Sequence, residues 1–224
     1  MKWNRIKAGK HLKLKGLPFI YNTSGSEITI GEDCTIKSSF LSNLVGLYSR
    51  TIIVTRVKDA EIHIGNRVGI SGATIYARKG ITIGDDTNIG GNVKILDNDF
   101  HPIEPEARRK DLKEQIGTKP ITIGKNCFIG CNALILKGTI LGDNCVVGAG
   151  AVVSGKFENN CVIAGNPAKV IRKISDDLCR KYGLSIIESN QKKSIPYVQW
   201  KAEQEGKPTW RSAIRLDIRE SVQE

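Results

Sequence analysis

The chain has 224 residues, and 34 Lys and Arg against 23 Asp and Glu leave a formal charge of +11. Hydrophobic residues at 40% and charged residues at 25% describe a soluble protein and fit poorly with disordered, collagenous or membrane-spanning classes. The length suits one domain, or one domain plus an appendage, and buries a core without a disulfide scaffold. Aromatics at 6% and a single Met beside 23 Gly point away from a thick ring-filled core. Thin repeated layers of isoleucine and valine are expected instead.

Residues 1–24 read as a basic leader, with Lys2, Arg5, Lys7, Lys10, Lys13 and Lys15 ahead of any acid, passing into strand-like Leu12-Lys13-Leu14. They lack the continuous apolar run of a signal peptide, so a cytoplasmic location with reduced thiols is expected. The six cysteines, at 34, 127, 131, 145, 161 and 179, form no C-x2-C pair and have no paired histidines, so no metal site is expected. The charge gathers at the two ends and leaves the middle nearly neutral. Basic ends are either solvated or meet anions, such as the phosphates of a nucleotide-like cofactor or an anionic lipid surface. Peripheral membrane contact through the leader is one such partner. Nucleic acid is not expected, because no aromatic-studded basic strand or recognition helix is present.

A six-residue period opens once and, after an irregular stretch at 38–60, runs clean. Ile30-Gly31-Glu32-Asp33-Cys34-Thr35 is the first unit. Units follow at Ile64, Ile70, Ile83 and Ile89, and five more run back to back from Ile123, Ile129, Ile135, Leu141 and Val147. Six residues make one short strand and one corner, so three units close a triangular coil. The aliphatic residue points into the prism, and the glycine sits where the backbone turns and needs positive φ. The residue four after the aliphatic one must be small, which places Cys34, Cys127 and Cys145 in the core. Such units cannot bury their own faces, so successive coils must stack. About six coils at ~4.8 Å spacing make a prism roughly 30 Å long. A sandwich would show alternation with turns every ~8–12 residues, which the unbroken run from 121 to 153 does not.

The repeat breaks after Ile95-Leu96 and resumes at Ile121. The insertion, 97–120, is long for a structureless connection, and such loops are usually functional or disordered. It holds His101, one of three histidines with His11 and His63. An attacking hydroxyl must lose its proton, and imidazole with an ordinary pKa of about 6.5 is the natural acceptor. A carboxylate on the other ring nitrogen would fix the tautomer. Asp97 and Asp99 are both within chain reach, and Asp97 is preferred because its offset leaves room for the loop to turn back. Asp99 is then assigned to the acceptor. Ser71 and Asn92 lie at plausible pocket corners.

The Ile-Gly-x-x-small-x units resemble the hexapeptide acyltransferases over about residues 25–173. The motif Ile95-Leu96-Asp97-Asn98-Asp99-Phe100-His101-Pro102-Ile103, followed by Pro120-Ile121-Thr122-Ile123-Gly124, is similar to the maltose and galactoside O-acetyltransferase branch. It is also similar to relatives acting on bacterial surface polysaccharides. The resemblance implies an all-β, left-handed parallel β-helix. It implies direct acetyl transfer from acetyl-CoA to a sugar or glycan hydroxyl, with the loop histidine, here His101, as general base. It further implies a homotrimer with CoA in the groove between two subunits. Cys131 and Ala149 would face that groove as turn residues, with Ser154 at the next corner and Lys169 and Arg172 on the phosphates. Phe128 stands where the family often carries Trp. Val162 to Arg172 resembles the segment in which the last coil passes into a helix.

The family's N-terminal helical segment has no counterpart here, so its acceptor residues do not carry over. Residues 174–224 are expected to hold a short helix, capped by Ser175-Asp176-Asp177 and stopped by Gly183, and a polar tail in which Ile214 to Ile218 alternates like a strand. Three rival functions stand beside this one. A γ-type carbonic anhydrase needs three histidines on a metal, which this spacing does not supply. An amino-sugar N-acyltransferase shares fold and cofactor. A non-catalytic scaffold leaves the His101 loop without a purpose.

Overall fold

The computed structural model describes residues 6–174. The helix expected at 175–183 and the strand-like run at 214–218 lie outside the described residues. Within them the chain is three parallel sheets, with seven, eight and six strands in repeating order, as in a left-handed parallel β-helix.

Each turn of the chain lays one strand on each sheet. The second coil runs through Glu27–Ile30, Thr35–Lys37 and Ile52–Thr55. The third uses Glu61–Ile64, Gly69–Ser71 and Thr74–Ala77, and the fourth uses Gly80–Ile83, Asn88–Ile89 and Lys94–Leu96. Like pairs with like: Ile28 opposes Ile62, Ile62 opposes Ile81, and Ile81 opposes Ile121. These side chains are 0–1% exposed and fill the prism, as the period predicts. Stacked β-branched residues pack well on a pleated surface, and burying each isoleucine contributes ~1.5–3 kcal/mol.

The first coil begins earlier than composition suggests. Ile6–Ala8, Lys13–Lys15 and Phe19–Asn22 each pair with the strand of the second coil, so most of the basic leader is β-helix. This coil has no Ile-Gly unit, which is why its period is silent. At the other end the segment from 161 to 173 is a hairpin. Cys161–Gly165 turns through Asn166-Pro167 into Ala168–Lys173, which pairs antiparallel with it. Gly165, at φ 100°, and Pro167 do punctuate the chain, but the break is a hairpin.

The glycine of each unit has a different reason from the one its position suggested. The positive φ falls two residues later, at Asp33, Arg67, Asp86, Asn126 and Asn144. Asp and Asn tolerate this conformation better than most residues. The glycines are instead required by close approach between coils. A Cβ on Gly31 would lie 2.5 Å from the Gly65 carbonyl oxygen, and one on Gly84 would lie 2.6 Å from Gly124 C. Along the same corner the side chains form a ladder. Asn126 Nδ2 donates to Asn144 Oδ1 at 2.8 Å, and Asn144 Nδ2 donates to Asn160 Oδ1 at 2.9 Å.

Cys34, Cys127, Cys145 and Cys161 line the inside of that corner, all buried. Cys34 Sγ donates to the Gly65 carbonyl at 3.2 Å, and Cys127 Sγ to that of Gly142 at 3.2 Å. The hydrogen bond to Cys145, together with burial, pushes the Cys127 thiol far above the ordinary thiol range. These cysteines are packing residues.

The outer faces differ in character. The first sheet turns Glu27, Thr29, Glu61, His63, Thr82 and Thr122 outward. His63 is held there by Thr29 Oγ1 at 2.8 Å and Glu61 Oε2 at 3.0 Å. The third sheet turns out Phe19, Tyr21, Ile52, Tyr76, Leu96, Leu134 and Leu136, a mainly apolar face that Thr74 and Lys94 interrupt.

Candidate active site

The inserted loop leaves the third sheet after Leu96 and rejoins the first sheet at Ile121. Its base is closed by hydrogen bonds. Lys119 N–H donates to the Asp97 carbonyl at 2.9 Å, Asn98 bridges Thr118, and Asp99 N–H donates to the Gly117 carbonyl at 3.1 Å. The loop carries a short helix, Pro105–Arg109, whose Ala107 is buried.

Asp97 is completely buried and does a different job from the one its spacing suggested. Its Oδ1 accepts the Arg78 amide at 2.8 Å and Asn98 Nδ2 at 3.1 Å. Its Oδ2 accepts the Lys79 and Gly80 amides at 2.7 and 2.8 Å. A carboxylate offers about four lone-pair sites, so this one is full. It has no capacity left for the His101 ring. Asp97 ties the root of the loop to the corner one coil below.

His101 stands exposed, and its own amide donates to the Asp99 carbonyl at 2.7 Å. The preceding Phe100 has φ 62°, its amide donates to Asn98 Oδ1 at 2.9 Å, and its ring packs on Tyr76 with centroids 4.9 Å apart. Three consecutive residues are therefore fixed by partners other than the histidine itself. Asp99 is half-buried against Lys137 Nζ, which donates to its Oδ2. Gly117 makes room for that pair, since a Cβ there would meet Asp99 Oδ2 at 2.5 Å. Asp99 and Lys137 also line an open groove of about 300 Å³ with Pro102, Ile103, Glu104 and Lys119.

The remaining predicted residues lie along other corners. Asn92 is 4% exposed, and its amide holds the 38–50 loop. Nδ2 donates to the Gly46 carbonyl at 2.8 Å, and Oδ1 accepts the Tyr48 amide at 3.2 Å. Ser71, 7% exposed, lies one coil below, with its carbonyl on the Asn92 amide at 3.1 Å. Cys131 and Ala149 follow on the same corner, joined by Gly150 N–H to the Cys131 carbonyl at 2.9 Å. Lys169 opposes Ala164 at the top of this corner, while Arg172 opposes Val162 further along the hairpin. Ser154 is on a different corner, the one from which the His101 loop emerges. One chain thus brings Cys131, Ala149 and Lys169 together. His101 and Ser154 lie across the width of the third sheet from them. Sequence reasoning missed Lys137, Asn98 and Tyr48, whose partners are 38, 2 and 84 residues away in the chain.

Comparison with known proteins bears on the fold and the family. The family model described as the hexapeptide repeat of succinyl-transferase matches residues 120–154. A galactoside O-acetyltransferase of Lactococcus lactis is 31% identical over 161 residues, covering 68% of this chain and 66% of that protein. The chain belongs to the hexapeptide-repeat acetyltransferase family. Another member, the galactoside O-acetyltransferase of Escherichia coli K12, is 39% identical over 124 residues, covering 52% of this chain and 56% of that protein. The chain thus spans about half to two thirds of the length of these curated relatives. Among solved structures of the family, a galactoside acetyltransferase in complex with coenzyme A superposes with a TM-score of 0.50. It is 26% identical and covers 84% of this chain and 74% of its own. An N-acyltransferase from Bacillus cereus, AntD, in complex with dTDP and coenzyme A, shares the fold with a TM-score of 0.59. It is 20% identical and covers 79% of this chain and 88% of its own.

Proposed function

We propose that this hexapeptide-repeat protein transfers an acetyl group from acetyl-CoA to a hydroxyl of a sugar or glycan, with His101 as general base. The observation that carries this reading is the placement of His101. The 97–120 insertion presents an exposed imidazole on a backbone locked at Asn98, Asp99 and Phe100. The imidazole takes the proton of the acceptor hydroxyl as its oxygen attacks the thioester carbonyl. The C–S bond then breaks, and the imidazolium returns the proton to the departing CoA sulfur. Asp97 acts in this scheme as the anchor of the loop.

The donor groove needs a second chain. His101 and Ser154 flank one edge of the apolar third-sheet face, and Cys131, Ala149 and Lys169 flank the other. Two copies meeting along that face bring opposite edges together, and a closed three-fold ring satisfies every copy. Lys169 and Arg172 supply charge-assisted bonds to the CoA phosphates. Among the described residues no helix is long and apolar enough to cross a membrane. The free thiols at 34, 127, 131, 145 and 161 suit a cytoplasmic protein.

The deciding experiment is thiol release from acetyl-CoA against sugars, amino sugars and nucleotide sugars, for the native chain and His101→Ala. Turnover with hydroxyl acceptors should fall about a thousandfold in His101→Ala, with acetyl-CoA binding retained. Turnover with amino sugars alone would replace O-acylation by N-acylation. Unchanged turnover in the variant would remove His101 from the mechanism. Half-exposed Cys131 also gives a handle on the groove: acetyl-CoA should slow its alkylation, and equal rates with and without the donor would move the groove elsewhere.

A further inference from the structure

We propose that the N-terminal end of the β-helix docks on an anionic lipid surface through an apolar patch ringed by lysines. Leu14, Leu17, Phe40 and Leu41 are 49%, 76%, 71% and 77% exposed. They belong to the first coil and to the root of the 38–50 loop, which touch. The Lys13–Lys15 strand pairs with Thr35–Lys37 in register, and a Cβ on Gly16 would meet Ser39 N at 2.6 Å. The loop root is stiff: Ser42 Oγ donates to the Ser39 carbonyl at 2.6 Å and accepts the Ser39 amide at 3.3 Å. Exposed apolar side chains on adjacent, hydrogen-bonded segments are costly in water unless something covers them.

Charge selects the occupant. Lys13, Lys15 and Lys37 project from the same two strands, with Lys15 directly opposite Lys37. Between Asp33 and Asp59 the sequence contains Lys37, Arg50, Arg56 and Lys58 and no acid. The nearest acids sit toward the first sheet: Glu27 pairs with Lys7 at 3.0 Å, Asp33 meets His11 Nδ1 at 3.2 Å, and Glu32 beside it is exposed. A cationic rim around aliphatic and aromatic side chains matches headgroup phosphates above acyl chains, and each signal strengthens the other. A second copy of this chain would bring the same lysines against one another.

The test is co-sedimentation of the full chain with phosphatidylcholine vesicles, with and without phosphatidylglycerol, at low and high salt. Binding should require phosphatidylglycerol and weaken with salt. Lys13→Glu/Lys15→Glu/Lys37→Glu should weaken partitioning by at least about a hundredfold. Leu17→Ser/Leu41→Ser should weaken it about tenfold or more, with the melting temperature held, since both leucines face solvent. Absence of binding to phosphatidylglycerol vesicles, or binding indifferent to the leucine pair, overturns the proposal. So does a leucine variant that sediments as a smaller species, which would assign the patch to contact between copies. Partitioning is read without turnover, so a failed acetyl-transfer assay leaves this result standing.

Discussion

The stacked coils and the inserted loop solve the same problem, holding backbone in place, by opposite means. In the coils every constraint is repeated. One isoleucine column, one glycine at each close approach and one positive-φ residue per corner, Asn or Asp except for Arg67, recur with the period, so a local error is shared by neighbours. In the loop nothing is repeated. Its geometry rests on singular contacts: the Asp97 carboxylate on three backbone amides, the Phe100 ring on Tyr76, and Lys137 on Asp99. Periodicity secures the scaffold, and chemistry is placed where periodicity stops.

This contrast can be broken at its joint, where the effect should be largest. Asp97→Ala orphans three backbone amides at a fully buried position and should cost about 4 kcal/mol. Thermal unfolding should report it, with proteolysis shifting to residues 98–118. An unchanged melting temperature would show that the loop root is held by something else. Gly84→Ala attacks only the coils. Its new Cβ meets backbone of the next coil, so relaxation is limited and a loss of about 2 kcal/mol is expected in denaturant titration. Turnover below the melting transition should be unaffected. A drop in turnover at full folding would mean that coil spacing reaches the site.

Lys137→Met attacks only the loop. The His101 backbone hangs from the Asp99 carbonyl, so loosening Asp99 should lower kcat about tenfold with the acetyl-CoA KM unchanged. Lys137→Arg should restore most of it, and equal losses in both variants would count against positioning by this pair. Asn144→Ala removes the middle rung of the asparagine ladder and should have the smallest effect, about 1 kcal/mol. A much larger loss would show that the ladder acts as one cooperative unit.

What the sequence made legible follows the same division. The period revealed the prism, its core isoleucines and the core cysteines, because each position is determined by residues a fixed distance away. It also marked the 97–120 interruption, and with it His101. It misjudged the glycines, because positive φ and close approach both select glycine and spacing alone does not separate them. It could not see the first coil, which folds against the second through Lys15–Lys37 and Phe19–Ile52 without the usual residues. Asp97 was misassigned for a physical reason too. Chain proximity to a histidine counts for little once distant amides, at 78, 79 and 80, have filled the carboxylate. Asn92 is another case. Its position suggested a pocket, and its amide is occupied by the backbone of a loop 44 to 46 residues earlier.

The closing hairpin has a consequence for how long such a molecule can be. A column of identical parallel coils has no intrinsic length: its last strand offers the same template as every strand before it, and another coil, from any chain, could add to it. Ala168–Lys173 runs along the final strand of the second sheet in the opposite direction and leaves its outer edge with the wrong polarity for the next coil. On that sheet the chain covers its own last parallel edge, where its repeat, by itself, would accept another coil.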